Sequence, residues 1–181
     1  MESLVNKEPY FIMKTFHEST GLAVYQVSRE KESIGVKFSS GGFHHPLYSG
    51  LESLAFNLCL PNDELQIPVI KTTDEDVSYI CLRLLDEKTY SEWIIAGPFC
   101  LSEVDQETIS NMASETLFSD LTEYYSRVPI ISLIKAFYHS LLLVYLLFNR
   151  ELVLSGVKQE HVVRRNLESE EFNKQLVERR Q

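Results

Sequence analysis

The sequence predicts an α+β domain, an antiparallel five-stranded sheet with flanking helices and a long C-terminal helical region. Three observations carry this reading. Residues 34–38 and 77–85 alternate with period two, so each places successive side chains on opposite faces of a strand. Residues 109–124 instead repeat their apolar side chains every 3.6 positions, through Ile109, Met112, Ala113, Leu117, Leu121 and Tyr124. The order along the chain is helix, two strands, an irregular or helical insert, three strands, then helices. Five short strands cannot hide both faces of their own sheet, so helices must cover at least one.

Residues 9–20 open as a helix. Pro9 suits the first turn, Gly21 is a natural stop, and Ile12, Met13 and Phe16 share one face. Residues 22–28 read as the first strand and 34–38 as the second, joined by the charged run 29–32 as a solvated loop or hairpin turn. The break at 39–42 (SSGG) leads through His44, His45 and Pro46 into 49–60, which has room for one short helix. Residues 66–71 fit an edge strand, because Pro68 cannot donate a ladder hydrogen bond. After a polar turn at 72–76, the strand at 77–85 sets Ile80, Leu82 and Leu84 on one face and Tyr79, Cys81 and Arg83 on the other. Residues 86–91 turn the chain, and 92–97 return as a strand ended by Gly97 and Pro98. The helical stretch that follows breaks near 114–119. Pro129 interrupts again, and Ser132 is a good N-cap for a helix reaching Asn149.

With 181 residues, 44% of them hydrophobic and 24% charged, the chain can build one domain with a substantial core. A net charge of -9 repels phosphate backbones, so these residues are not expected to grip nucleic acid by themselves. Cys59, Cys81 and Cys100 share no metal-ligand or redox spacing. Their odd number, and the absence of an apolar targeting segment in residues 1–8, fit a reducing cytoplasm. Residues 130–148 are very apolar, but Lys135, His139, Ser132 and Ser140 interrupt them. The unbroken part, 141–148, spans only about 12 Å as helix, against a bilayer core of about 30 Å. A buried or interface helix is expected there, and no membrane span.

Motifs for chemistry are sparse. The sequence holds no dinucleotide or phosphate loop, no zinc-protease helix and no nucleophile elbow. Adjacent His44 and His45 would point opposite ways on an extended chain, which makes a surface loop the expected setting. His139 lies on a helix among aromatics and is expected to be a hydrogen-bonded core or interface residue. The acidic run 74–76 lacks the spaced oxygen ligands of a calcium loop. No catalytic residue, metal ligand or cofactor is therefore assigned. The aromatic residues offer more. Tyr79 and Cys81, with Trp93 on the next strand and Tyr25 on the first, are the candidate wall of a small-molecule pocket. Arg83 is the one cation on that strand face and could meet an anionic group if it points inward.

Element order of this kind is shared with the PAS and GAF sensor folds, whose sheet forms one wall of a ligand cavity. Three segments sharpen the comparison: FHESTGLAVY at 16–25, IIAGPF at 94–99 and VPIIS at 128–132 ahead of a Leu- and Tyr-rich helix. Together they resemble the N-terminal sensory regions of AraC-type transcriptional regulators from Gram-positive bacteria. The resemblance implies a PAS- or GAF-like sensory and dimerisation domain over residues 1–157. It implies that 158–181 is a charged helical linker toward a DNA-binding domain absent from this chain. The charges agree with that division: six Lys/Arg and five Asp/Glu leave 158–181 at +1, and the rest at -10.

The expected function is then sensing of a small, neutral or weakly anionic effector. The domain would work as a cytoplasmic homodimer, with DNA bound only through the absent domain. The dimer contact is placed on the apolar helix at Leu142, Tyr145 and Leu146. Two other classes stay open. One is a ligand-free interaction adaptor that dimerises through the same helix. The other is a small enzyme using a cysteine such as Cys81 or Cys100, which would need an exposed thiol of depressed pKa.

Overall fold

The computed structural model describes residues 8–28, 33–39, 45–47, 57–84 and 92–149, with positions 168 and 174 beyond them. The readings of 29–32, of His44, of 86–91, of most of 40–56 and of the tail from 150 lie outside the described residues. The fold is α+β with an open antiparallel sheet. In chain order the elements are α1 (Glu8–Thr20), β1 (Val24–Ser28), β2 (Ser33–Phe38), β3 (Pro68–Thr72), β4 (Ser78–Leu84), β5 (Glu92–Phe99), α2 (Gln106–Met112), α3 (Phe118–Arg127) and α4 (Leu133–Phe148). The strands are ordered β2-β1-β5-β4-β3, so the first and last strands along the chain pair at the centre. Every strand pairing is antiparallel.

Local sequence explains most boundaries. α1 stops at Gly21, whose backbone has φ 74° and donates to the His17 carbonyl at 2.8 Å. The Asp105 carboxylate accepts from the Thr108 N–H at 2.7 Å and caps α2. Ser132 caps α4 by accepting from the Lys135 N–H at 3.3 Å. The helical repeat breaks between Met112 and Phe118, where the sequence expects it. β3 lies at a sheet edge, the place its proline requires.

One boundary differs. β5 does not end at Gly97 but continues through Pro98 to Phe99. The partners explain why. Ala96 lies opposite Ile80 and Phe99 opposite Ser78, so the ladder shifts register beside Tyr79. Two residues of β5, Gly97 and Pro98, oppose one of β4. Pro98 sits in this bulge, where no regular ladder bond is asked of its missing N–H. Beyond it, Cys100 and Ile130 form a bridge, with Cys100 N–H donating to Pro129 and Ile131 N–H donating to Cys100.

The sheet divides the interior into two cores. On its helical face Val24, Ile80, Leu82, Ile94 and Ala96 pack against Ile12, Met13 and Phe16 of α1 and Ala136, Leu143 and Leu146 of α4. On the opposite, aromatic face Tyr25, Val27, Tyr79, Cys81, Trp93 and Ile95 pack with Leu58, Cys59, Tyr124 and Val128. The second half of α4, 141–148, is apolar on every side, yet among the described residues only one side of it is covered. No described helix is long and apolar enough to cross a membrane.

Candidate functional site

The aromatic face carries the residues picked out in the sequence as a pocket wall, and strand register brings all five together. Tyr25 lies opposite Ile95, and Ile95 opposite Cys81, which makes one row across the sheet. Val27, Trp93 and Arg83 make the next row. Side chains alternate along a strand, so Tyr79 joins them two residues from Cys81. The wall is closely covered. Trp93 is fully buried, and Tyr25, Tyr79 and Cys81 are each less than 5% exposed.

One end of the wall is occupied by a polar clamp that the sequence did not announce. The loop through Leu58, Pro61 and Asp63 folds over Trp93 and Arg83. Asp63 accepts from the Leu60 N–H at 3.1 Å, from Lys71 Nζ at 2.7 Å and from the Trp93 indole N–H at 3.3 Å. Lys71 also donates to the Leu58 carbonyl at 2.5 Å. Arg83 Nη1 donates to the carbonyls of Pro61 at 2.6 Å and Asp63 at 3.0 Å, and its guanidinium lies 5.5 Å from the Trp93 ring centroid. Burial pushes the Asp63 carboxyl up, but the hydrogen bonds from Lys71 and Leu60 and the Lys71 charge outweigh it, leaving the group below its ordinary value. Arg83 was expected to meet an anionic group of a ligand. Its Nη1 donates to the loop.

The other end is an aromatic and hydroxyl-bearing cluster. His45 is 2% exposed, which corrects the surface setting expected for it. Its ring packs edge-on against Tyr124 at 4.7 Å and Tyr125 at 5.7 Å, and the two tyrosines meet at 5.2 Å. The Leu47 N–H donates to His45 Nδ1 at 3.2 Å, so Nδ1 is the unprotonated nitrogen. Nε2–H then donates to Tyr125 Oη at 3.0 Å, and Tyr125 donates to the Glu75 carbonyl at 2.6 Å. This chain of bonds fits a neutral imidazole. Burial pushes the Tyr124 hydroxyl pKa up, and the residue packs in the same buried cluster as Tyr25 and Tyr79. Tyr124 thereby links the cluster to the wall.

The three thiols are buried. Burial pushes Cys81 up to about 12 and Cys100 up to about 11. Neither is the exposed, acidic thiol that nucleophilic chemistry needs. Of the three residues assigned to a dimer contact, Leu146 faces the chain's own core and Leu142 packs at its margin. Tyr145 points outward and is 54% exposed. The evenly apolar run 141–148, which holds all three, gives no phase, so its inward side could not be told from that run. His139 is half-buried, with its ring edge-on to Phe16 at 6.3 Å, and its Nε2 has no hydrogen-bond partner among the described residues. The hydrogen bond expected for it is therefore missing at that atom.

His45 and His139 make a pH prediction. Burial lowers both pKa values; the Glu75 charge opposes this at His45, and Lys135 adds to it at His139. An unfolded histidine near 6.5 binds protons more readily than either folded one. Stability is thus fully present above about pH 6.5 and is lost as pH falls toward the folded pKa values. The urea midpoint is expected to drop between pH 7.5 and 5.5, and the double variant His45→Gln, His139→Gln should flatten that slope. An unchanged slope in the double variant would assign the effect to other groups.

No protein-family model, no curated protein and no solved structure matches this chain.

Proposed function

We propose that this chain is the signal-sensing and dimerisation domain of an AraC-type transcriptional regulator, PAS- or GAF-like in architecture, that binds a small effector on the aromatic face of its sheet. The observation that carries the reading is the joining of Tyr25, Tyr79, Tyr124 and His45 in one buried cluster, with apolar rings and polar tips. Small-molecule sites commonly combine these two features. The cation once expected to meet an anionic effector, Arg83, is engaged with the loop at Pro61 and Asp63. A neutral effector, hydrogen-bonded by tyrosine hydroxyls, is the better fit.

A second reading is a ligand-free interaction adaptor. The near-complete burial of Trp93, Cys81 and Tyr79 favours it, because a sealed wall needs no ligand to be stable. A thermal-shift screen with neutral metabolites separates the two. An effector at a hundred times its Kd adds about 2.7 kcal/mol, a rise of roughly 5–10 °C for a domain of this size. Tyr79→Phe keeps the packing and removes one hydroxyl, so it should weaken a genuine effector by about 10-fold. If no compound raises the melting temperature, and mass spectrometry of the denatured protein finds none co-purified, the adaptor reading replaces the sensor.

A further inference from the structure

We infer that the outward side of α4 is a self-association surface that pairs two copies of this chain through their α4 helices. The inference deepens the dimerisation half of the reading above and does not depend on an effector. α4 turns Ala136, Ser140, Leu143 and Leu146 inward, where each is buried. On the other side, Ile134 is 70% exposed, Phe137 55%, Leu141 46% and Phe148 57%. With Val144 these four follow the spacing 3, 4, 3, 4, which is the seam of a helix that packs along another helix. Tyr138 and Tyr145 flank the seam, at 63% and 54% exposure.

The size of the surface selects the occupant. With Leu133 at 60%, and leaving out the less exposed Val144, the outward side of α4 presents seven large apolar side chains, each 46–70% exposed. At about 150–250 Å² for an aromatic side chain, they amount to roughly 750 Å². That exceeds the largest apolar patch of a typical monomer, about 300–600 Å². It matches the roughly 800 Å² that each partner contributes to a stable complex. The chemistry selects it as well. A two-fold interface sets a surface against itself, so any charge on it would meet its own like. The five seam residues and the flanking Tyr138 and Tyr145 carry no charge, in a chain of net charge -9. Tyrosine and phenylalanine are also the side chains enriched at the centres of protein interfaces.

Sedimentation equilibrium of the full chain tests this. Wild type is expected to be a dimer at low micromolar concentration. Ile134→Glu and Phe137→Glu should each weaken association by at least ~30-fold, because a carboxylate would be buried unpaired at the seam. Lys135→Ala, on the flank away from the seam, should leave it unchanged. Trp93, fully buried on the opposite face of the sheet, reports folding. Its emission should stay native in all three variants. A monomeric wild type overturns the inference. So does a dimer that survives both glutamates, which would place the interface elsewhere. A chain that dimerises only after residues 150–181 are deleted would show that its own tail covers the seam, and this also overturns it. None of these outcomes bears on effector binding, which the thermal-shift screen measures separately.

Discussion

Replacing Gly97 with alanine is expected to destabilise the protein by roughly 3–4 kcal/mol, the sum of two independent effects. The first is backbone strain. Gly97 has φ 147°, a conformation that residues with a Cβ rarely adopt. The second is steric. A Cβ built there would lie 2.7 Å from Tyr79 Cδ1 and 2.9 Å from the Ser78 carbonyl oxygen. Moving the tyrosine ring would relieve only the first contact, because the second is with backbone. Gly21→Ala is the matched control. Its φ is 74°, but nothing lies within 4 Å of the added carbon, so only the backbone cost of about 1 kcal/mol remains. Thermal melts should therefore fall by roughly 8–15 °C for Gly97→Ala and about 2–4 °C for Gly21→Ala. Equal shifts for the two variants would mean that the contact with Tyr79 is not a constraint. The same geometry ties stability to the site, since the glycine in the β5 bulge makes room for the Tyr79 ring.

The features legible in the sequence are those set by near neighbours along the chain. The helix stop at Gly21 depends on adjacent atoms: Thr20 Oγ1 donates to the Phe16 carbonyl and accepts from the Leu22 N–H. The separation of Ile80 and Leu82 from Tyr79 and Cys81 follows from the pleat of a single strand. The residues proposed as a pocket wall could be chosen on that basis, and register brings them onto one face. What the sequence did not disclose depends on long-range pairing. His45 is buried by two tyrosines far along the chain, Tyr125 being 80 positions away, and a histidine beside a proline carries no mark of that. Asp63 joins Trp93 across 30 positions, and nothing in its neighbours along the chain marks that contact. The bulge at Gly97 and Pro98 is the intermediate case. Glycine and proline mark an irregularity, and only the partner strand shows that β5 continues past it.

Removal of the Asp63 carboxylate should have the second-largest effect, a loss of about 2–3 kcal/mol in Asp63→Ala. The Lys71–Asp63 pair is close at 2.7 Å, and its side chains are only 17% and 14% exposed. Losing the acid leaves Lys71 with the Leu58 carbonyl as its remaining described acceptor. It also leaves the Trp93 indole N–H without its acceptor, in a side chain with no exposed surface. A buried donor left unmade costs more than the bond itself contributes. The full 3–5 kcal/mol of a broken, completely buried pair is not expected, because water reaches the partly exposed groups. Asp63→Asn keeps the shape and one oxygen while removing the charge, so it should fall between wild type and alanine. The pH dependence has a definite sign. The folded pKa of Asp63 lies below its unfolded value near 3.9, so its contribution is fully present above that pH. It is lost as pH falls through the folded pKa. The acid limb of a stability profile should therefore flatten in Asp63→Ala, well separated from the histidine effect that sets in below about pH 6.5. Trp93 gives a local readout, since its emission should change with the loss of the indole acceptor even in the folded variant. A variant with native emission and an unshifted melt would show that the loop over Trp93 and Arg83 is held by the arginine and not by the acid.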